Sequence, residues 1–224
     1  MINTQFVVVT LFCLAVAAAH VAAINSERPK ISGLAKAAAS TSFVAVAVIN
    51  NAADTSYGRF ILAALALSLI GDLLLLSFRS RFLLGGIASF LLAHVAFAAA
   101  FTRVAVDTNW FAVAMVCAAI AGILLIRWLW PRLGGFYRVA VPVYAAAIVL
   151  MTSLAIGASA ESMPSTVGVG AVLFAVSDVS VARDRFIERN IANKMWGLPL
   201  YYIAQLLFAG SVIAATRQAN LVLP

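Results

Sequence analysis

The chain has 224 residues, of which 64% are hydrophobic and only 10% charged, and its mean hydropathy is +1.05. Soluble domains carry about 25% charged residues, so this composition excludes a soluble globular domain and makes the bilayer the solvent. The formal net charge of +7 does not point to nucleic acid, because the basic residues fall in the connections between apolar runs; topology and lipid head groups account for them.

A membrane span needs about 20 apolar residues. Eight such runs follow one another, at 5–24, 33–50, 60–78, 82–102, 110–126, 138–157, 165–182 and 196–216. The first resembles a signal peptide, but "MINTQ" has no basic n-region and the run is long enough to span, so it reads as the first helix. The runs are continuous rather than alternating, which in a bilayer leaves the α-helix. The expected fold is therefore all-α, a single eight-helix transmembrane domain over residues 1–224 with short connections.

Lys and Arg set the expected orientation. Arg28, Lys30, Lys36, Arg79, Arg81, Arg127, Arg132, Arg138, Arg183, Arg185, Arg189 and Lys194 fall on one side of the alternating spans, and only Arg59, Arg103 and Arg217 on the other. The positive-inside rule places the richer side in the cytoplasm and both termini on the non-cytoplasmic side. A bacterial cytoplasmic membrane is the expected location. "RSRF" (79–82) after the third run matches "RDRF" (183–186) after the seventh, and "FLLAHVAF" (90–97) matches "YYIAQLLF" (201–208). A 4+4 parallel duplication would explain this, as would chance similarity in a narrow apolar alphabet.

Of eight acidic residues, only Asp72 and Asp178 lie within spans. A carboxylate deep in a bilayer costs about 2.5–3.5 kcal/mol on insertion scales, and such residues face the bundle interior or a polar cavity. The third and seventh runs point the same way, so the two carboxylates lie at about 18 and 20 Å along them, a matched depth. Small residues, Gly71 and Ser177, precede them and allow close helix approach. Lys36, Tyr144, Tyr201, Tyr202 and Gln205 reach a similar level from the cytoplasmic side, and His94 lies somewhat deeper. Tyr201 and Tyr202 precede Gln205 by four and three residues, so both are able to share its face. Together these residues are expected to line one polar pocket open to the cytoplasmic leaflet. Each also has a plain structural reading: a hydrogen-bond hub for the aspartates, snorkelling for Lys36, a satisfied core histidine, and interfacial tyrosines. Two histidines, His20 and His94, cannot make a three-histidine zinc site, and Cys13 and Cys117 lack ligand spacing, so no metal or cofactor is expected.

"GDLLLL" with Asp72, "FLLAHVAF" with His94, "VPVYAAAIVLM" (141–151), "LFAVSD" (173–178) and "YYIAQLLF" resemble, in order and in helix placement, the YhhN family of lysoplasmalogenase-like membrane proteins. The resemblance runs from about Lys36 to Phe208. Where the family often has Lys-Pro, Lys36 is followed here by Ala37, and where it often has His followed three residues later by Tyr, Phe97 stands here. The resemblance implies hydrolysis of the vinyl ether bond of lysoplasmalogens, giving a fatty aldehyde and a glycerophospho-head group. Asp72 and Asp178 would be the acid/base pair, with Lys36, His94, Tyr144, Tyr201, Tyr202 and Gln205 binding a lysophospholipid that enters from the bilayer. Against it stand a proton-coupled transporter of a small molecule or lipid and a non-catalytic lipid-binding membrane protein.

Overall fold

The computed structural model describes residues 4–77 and 79–222. Eight α-helices follow in order: Thr4–Asn25 (α1), Pro29–Ile49 (α2), Ser56–Leu74 (α3), Ser80–Phe101 (α4), Thr108–Leu129 (α5), Tyr137–Glu161 (α6), Thr166–Phe186 (α7) and Ile191–Val222 (α8). Among the described residues there is no strand. All eight helices are long and apolar enough to cross a membrane, so the chain is an all-helical, multi-pass membrane protein.

Local chemistry sets several helix ends. Pro29 opens α2, where its missing N–H costs nothing. Thr55 caps α3 by accepting from the Gly58 N–H at 2.9 Å, and Asp107 caps α5 by accepting from Trp110 N–H at 2.8 Å. The largest differences from the sequence expectation lie in α3 and α8. The apolar run of the third span continues through Leu76, yet α3 stops at Leu74, because the chain must turn before α4 begins at Ser80. The expected end, Phe78, lies outside the described residues. α8 begins at Ile191 rather than 196 and carries Pro199 inside it, which leaves the Met195 carbonyl without its helical donor.

Consecutive helices pair as hairpins, α1 with α2, α3 with α4, α5 with α6 and α7 with α8, and α8 also packs on α1, α2 and α3. α6 bridges α4 and α7, whereas α5 packs chiefly on α6. The tightest crossings use small residues, as membrane helices do to bring backbones together. A Cβ on Gly71 would lie 2.8 Å from the Phe90 ring, one on Gly86 would lie 2.7 Å from Leu75, and one on Gly197 would collide with the Ser180 hydroxyl.

The middle of the bundle is aromatic. Phe97, Phe101, Phe174 and Phe208 are essentially inaccessible, with ring centroids 4.4 Å apart for Phe97–Phe208 and 5.8 Å for Phe101–Phe208. Ile61 and Leu65 of α3 close the same layer without exposure. The polar residues considered next sit against one side of it.

Candidate active site

Five helices each offer two residues four apart, and so on one face: Lys36 and Ser40 from α2, Ser68 and Asp72 from α3, Phe90 and His94 from α4, Phe174 and Asp178 from α7, Tyr201 and Gln205 from α8. Tyr144 of α6 completes the set. These pairs meet.

Asp72 is buried, two residues from the C-terminal end of α3. That end of a helix carries partial negative charge and disfavours a carboxylate. The chain compensates with three donors from neighbouring helices. Lys36 Nζ lies 3.0 Å from Oδ1. The Ser40 and Tyr201 hydroxyls donate to Oδ2 at 2.5 and 2.7 Å. A buried carboxylate is tolerable when it is paired and hydrogen-bonded in this way.

Asp178 keeps different company. His94 Nε2 is 3.2 Å from its Oδ2, an ion-pair distance that lies off the line of a hydrogen bond. The Tyr144 hydroxyl donates to the same oxygen at 3.4 Å. Among the described residues no group hydrogen-bonds Oδ1. The Asp178 side chain is 14% exposed against 4% for that of Asp72, so Asp178 is the more accessible carboxylate. His94 is fully buried, its Nδ1 2.7 Å from the Phe90 carbonyl and its ring 4.4 Å from that of Phe174 and 5.2 Å from that of Tyr144.

The structure thus brings Lys36 and Tyr201 to Asp72, and His94 and Tyr144 to Asp178. Tyr201 links the two groups, being within electrostatic reach of both carboxylates and packing edge-on against Phe174 at 5.6 Å. Gln205 is fully buried and reaches Ser68, one turn before Asp72, at 3.4 Å, while among the described residues its Oε1 finds no partner. Tyr202 departs from the expected arrangement. It turns toward α1, ring edge-on to His20 at 6.2 Å, with a hydroxyl that lies near Ser40 without a well-formed hydrogen bond. One residue advances a helix by about 100°, so adjacent tyrosines point to different neighbours. Sequence reasoning missed Ser40 and the Phe90 carbonyl. Their signal was the four-residue spacing from Lys36 and His94.

The chain matches the YhhN family over residues 31–212, which includes every residue of this site. The chain belongs to the YhhN family. Proteins named lysoplasmalogenase from Mycobacterium bovis and Mycobacterium tuberculosis are each 33% identical to this YhhN protein over 151 residues, which is 64% of this chain and 55% of the relative. Lysoplasmalogenase TMEM86A of Bos taurus is 29% identical over 159 residues, 68% of this chain and 65% of the relative. The YhhN chain therefore spans little more than half the length of the mycobacterial relatives it matches. No solved structure matches it.

Proposed function

We propose that this protein is an intramembrane hydrolase that cleaves the vinyl ether bond of lysoplasmalogens, releasing a fatty aldehyde and a glycerophospho-head group. The observation that carries the reading is the pair of intramembrane carboxylates, Asp72 and Asp178, each in contact with its own basic side chain, Lys36 or His94, in one polar cluster. The names of the mycobacterial and bovine relatives supply the substrate.

The chemistry asks for what this cluster offers. Protonation of the β-carbon of a vinyl ether gives an oxocarbenium ion. Water captures that ion, and the hemiacetal collapses to aldehyde and alcohol. A proton donor, a nearby negative charge and a held water are required, as in glycoside hydrolysis by two carboxyl groups. Asp72 and Asp178 act as acid and base in this reading, His94, Tyr144, Tyr201 and Gln205 surround the reacting chain, and Tyr202 lies behind them toward α1. Lys36 spends one N–H on Asp72 and retains two for a lipid phosphate. Lys194, within electrostatic reach of His20 as Lys36 and Asp72 also are, offers a second cation.

The rest of the reading concerns the setting. The basic connections face the cytoplasm, both termini face away from it, and the substrate enters from the cytoplasmic leaflet of a bacterial inner membrane; the distribution of Lys and Arg supports this. The eight helices form one domain built as a 4+4 repeat. In support, α2 and α6 occupy equivalent places, donating to the aspartates of α3 and α7. The helix that completes each site comes from the other half: Tyr201 of α8 for Asp72, and His94 of α4 for Asp178.

The test is aldehyde release from lysoplasmalogen by the purified protein in detergent or bilayer. Release above that of a heat-inactivated control is expected. Well-folded protein that releases none, across pH and with both ethanolamine and choline head groups, refutes the assignment. The transporter reading gains nothing from the aromatic layer of Phe97, Phe101, Phe174 and Phe208, which interrupts the polar residues halfway across the bundle.

A further inference from the structure

We infer that the two aspartates do different things: the His94–Asp178 pair holds the transferable proton, while Asp72 is a permanently ionised anchor. This inference rests on the hydrolase reading and says which of its groups is the acid.

The argument is an inventory of protons. His94 Nδ1 faces the Phe90 carbonyl at 2.7 Å. A carbonyl only accepts, so Nδ1 carries a hydrogen. The other ring nitrogen, Nε2, is 3.2 Å from Asp178 Oδ2. A bare imidazole nitrogen and a bare carboxylate are both acceptors and repel at that distance. The contact is favourable only with one further proton, either on Nε2 as imidazolium or on the carboxyl. That proton belongs to a contact between an imidazole and a carboxyl, the side chains most used for acid–base transfer, and such a proton can be given and taken back. The unoccupied Oδ1 of Asp178 provides an edge from which to deliver it.

Asp72 is held as the anion by its partners. Oδ1 receives the Lys36 ammonium, and Oδ2 receives two hydroxyl donors. Protonation would leave the lysine without its counter-charge. A lysine partner keeps its proton at neutral pH where a histidine partner exchanges it.

The step balances as follows. The proton passes from Asp178 to the β-carbon, whose π electrons form the C–H bond, leaving His94 neutral and Asp178 ionised beside the oxocarbenium ion. Water adds to that ion and gives its proton to the pair. The hemiacetal collapses to aldehyde and glycerol hydroxyl, with one water consumed and the pair recharged. The groups that face the pair are Tyr144 from α6 and Tyr201 from α8, phenols whose ordinary titration lies far above neutral pH.

The chain contains two histidines, so 15N-histidine labelling in detergent micelles reads His94 directly, with His94→Gln assigning the signals. Nδ1 is expected to stay protonated while Nε2 titrates. The midpoint should move in Asp178→Asn and hold in Asp72→Asn. With lysoplasmalogen, Asp178→Asn should lower aldehyde release about 100-fold or more, and Asp178→Glu should recover part of that loss. Asp72→Asn should lower the rate while keeping the pH limb set by the pair. An Nε2 midpoint that follows Asp72→Asn instead of Asp178→Asn overturns the inference, as does undiminished release by Asp178→Asn. No aldehyde from any form, with the Nε2 titration behaving as expected, removes the substrate and leaves the proton assignment standing.

Discussion

A carboxylate in a membrane helix must be answered by something, and Asp72 and Asp178 are answered differently. The 3.0 Å contact between Lys36 and Asp72 joins two side chains that are 12% and 4% exposed. Breaking a buried pair by removing one charge costs about 3–5 kcal/mol, because the remaining ion is left uncompensated. Asp72→Asn is therefore expected to destabilise the protein by up to about that amount. The same change in a Lys36→Met background should cost markedly less. Thermal or denaturant unfolding of the four proteins in detergent measures this coupling, and equal costs in both backgrounds would refute it. Both aspartates were legible in the sequence because a charge in an apolar run is expensive and conspicuous. Ser40 was not legible, since a serine costs little anywhere in a membrane helix and its role depends on helix rotation, which depth alone does not give. His94 was legible as a candidate, but its ring is oriented by the Phe90 carbonyl, which carries no side-chain signal at all.

At the scale of elements, the site is held by close crossings. α7 and α8 meet at Gly197 and Ser180, where an added Cβ would collide with the serine hydroxyl. α8 bears Tyr201 one turn further on, so pushing the helices apart moves the donor that reaches Asp72. Gly197→Ala is expected to lower the melting temperature by several degrees and to lower activity with it. Gly33→Ala is the control, because its nearest neighbour would be a Leu76 methyl at 3.7 Å, an ordinary contact. There the better helix propensity of alanine, about 1 kcal/mol, should leave stability unchanged or raised. A circular-dichroism melt of both variants separates the two cases, and a Gly197→Ala protein as stable as the parent would contradict the packing account. The sequence made the eight helices plain through run length and composition. It misjudged the end of α3 and the start of α8, because an apolar run measures what fits in lipid, whereas a helix ends where the chain must turn or finds a cap. The end of α3 at Leu74 puts Asp72 in its last turn, which is why that carboxylate needs so many donors.

At the scale of the whole molecule, the aspartate cluster lies on one side of an aromatic layer, and the Tyr57–Ser211 and Asn50–Ala209 contacts lie on the other. Phe97, Phe101, Phe174 and Phe208 belong to α4, α7 and α8, and Ile61 and Leu65 of α3 join them. A path for ions or water through the bundle would have to part all of these. Proteoliposomes containing the protein should therefore show no protein-dependent proton flux while they hydrolyse substrate. A flux that scales with the amount of protein, without product, would favour a carrier. The possible duplication was visible as paired motifs, but the exchange of partners between halves was not, because sequence order does not say which helix of one half faces which aspartate of the other.

The aromatic layer also bears on the lipid population. On the proposed function, an enzyme whose site lies on one side of that layer would serve one leaflet. Lysoplasmalogen in the opposite leaflet would then be a reserve out of its reach, drained only as fast as those molecules flip. In vesicles the reaction would then run in two phases, a fast one that ends when the accessible leaflet is spent and a slow one whose rate belongs to the membrane rather than to the protein.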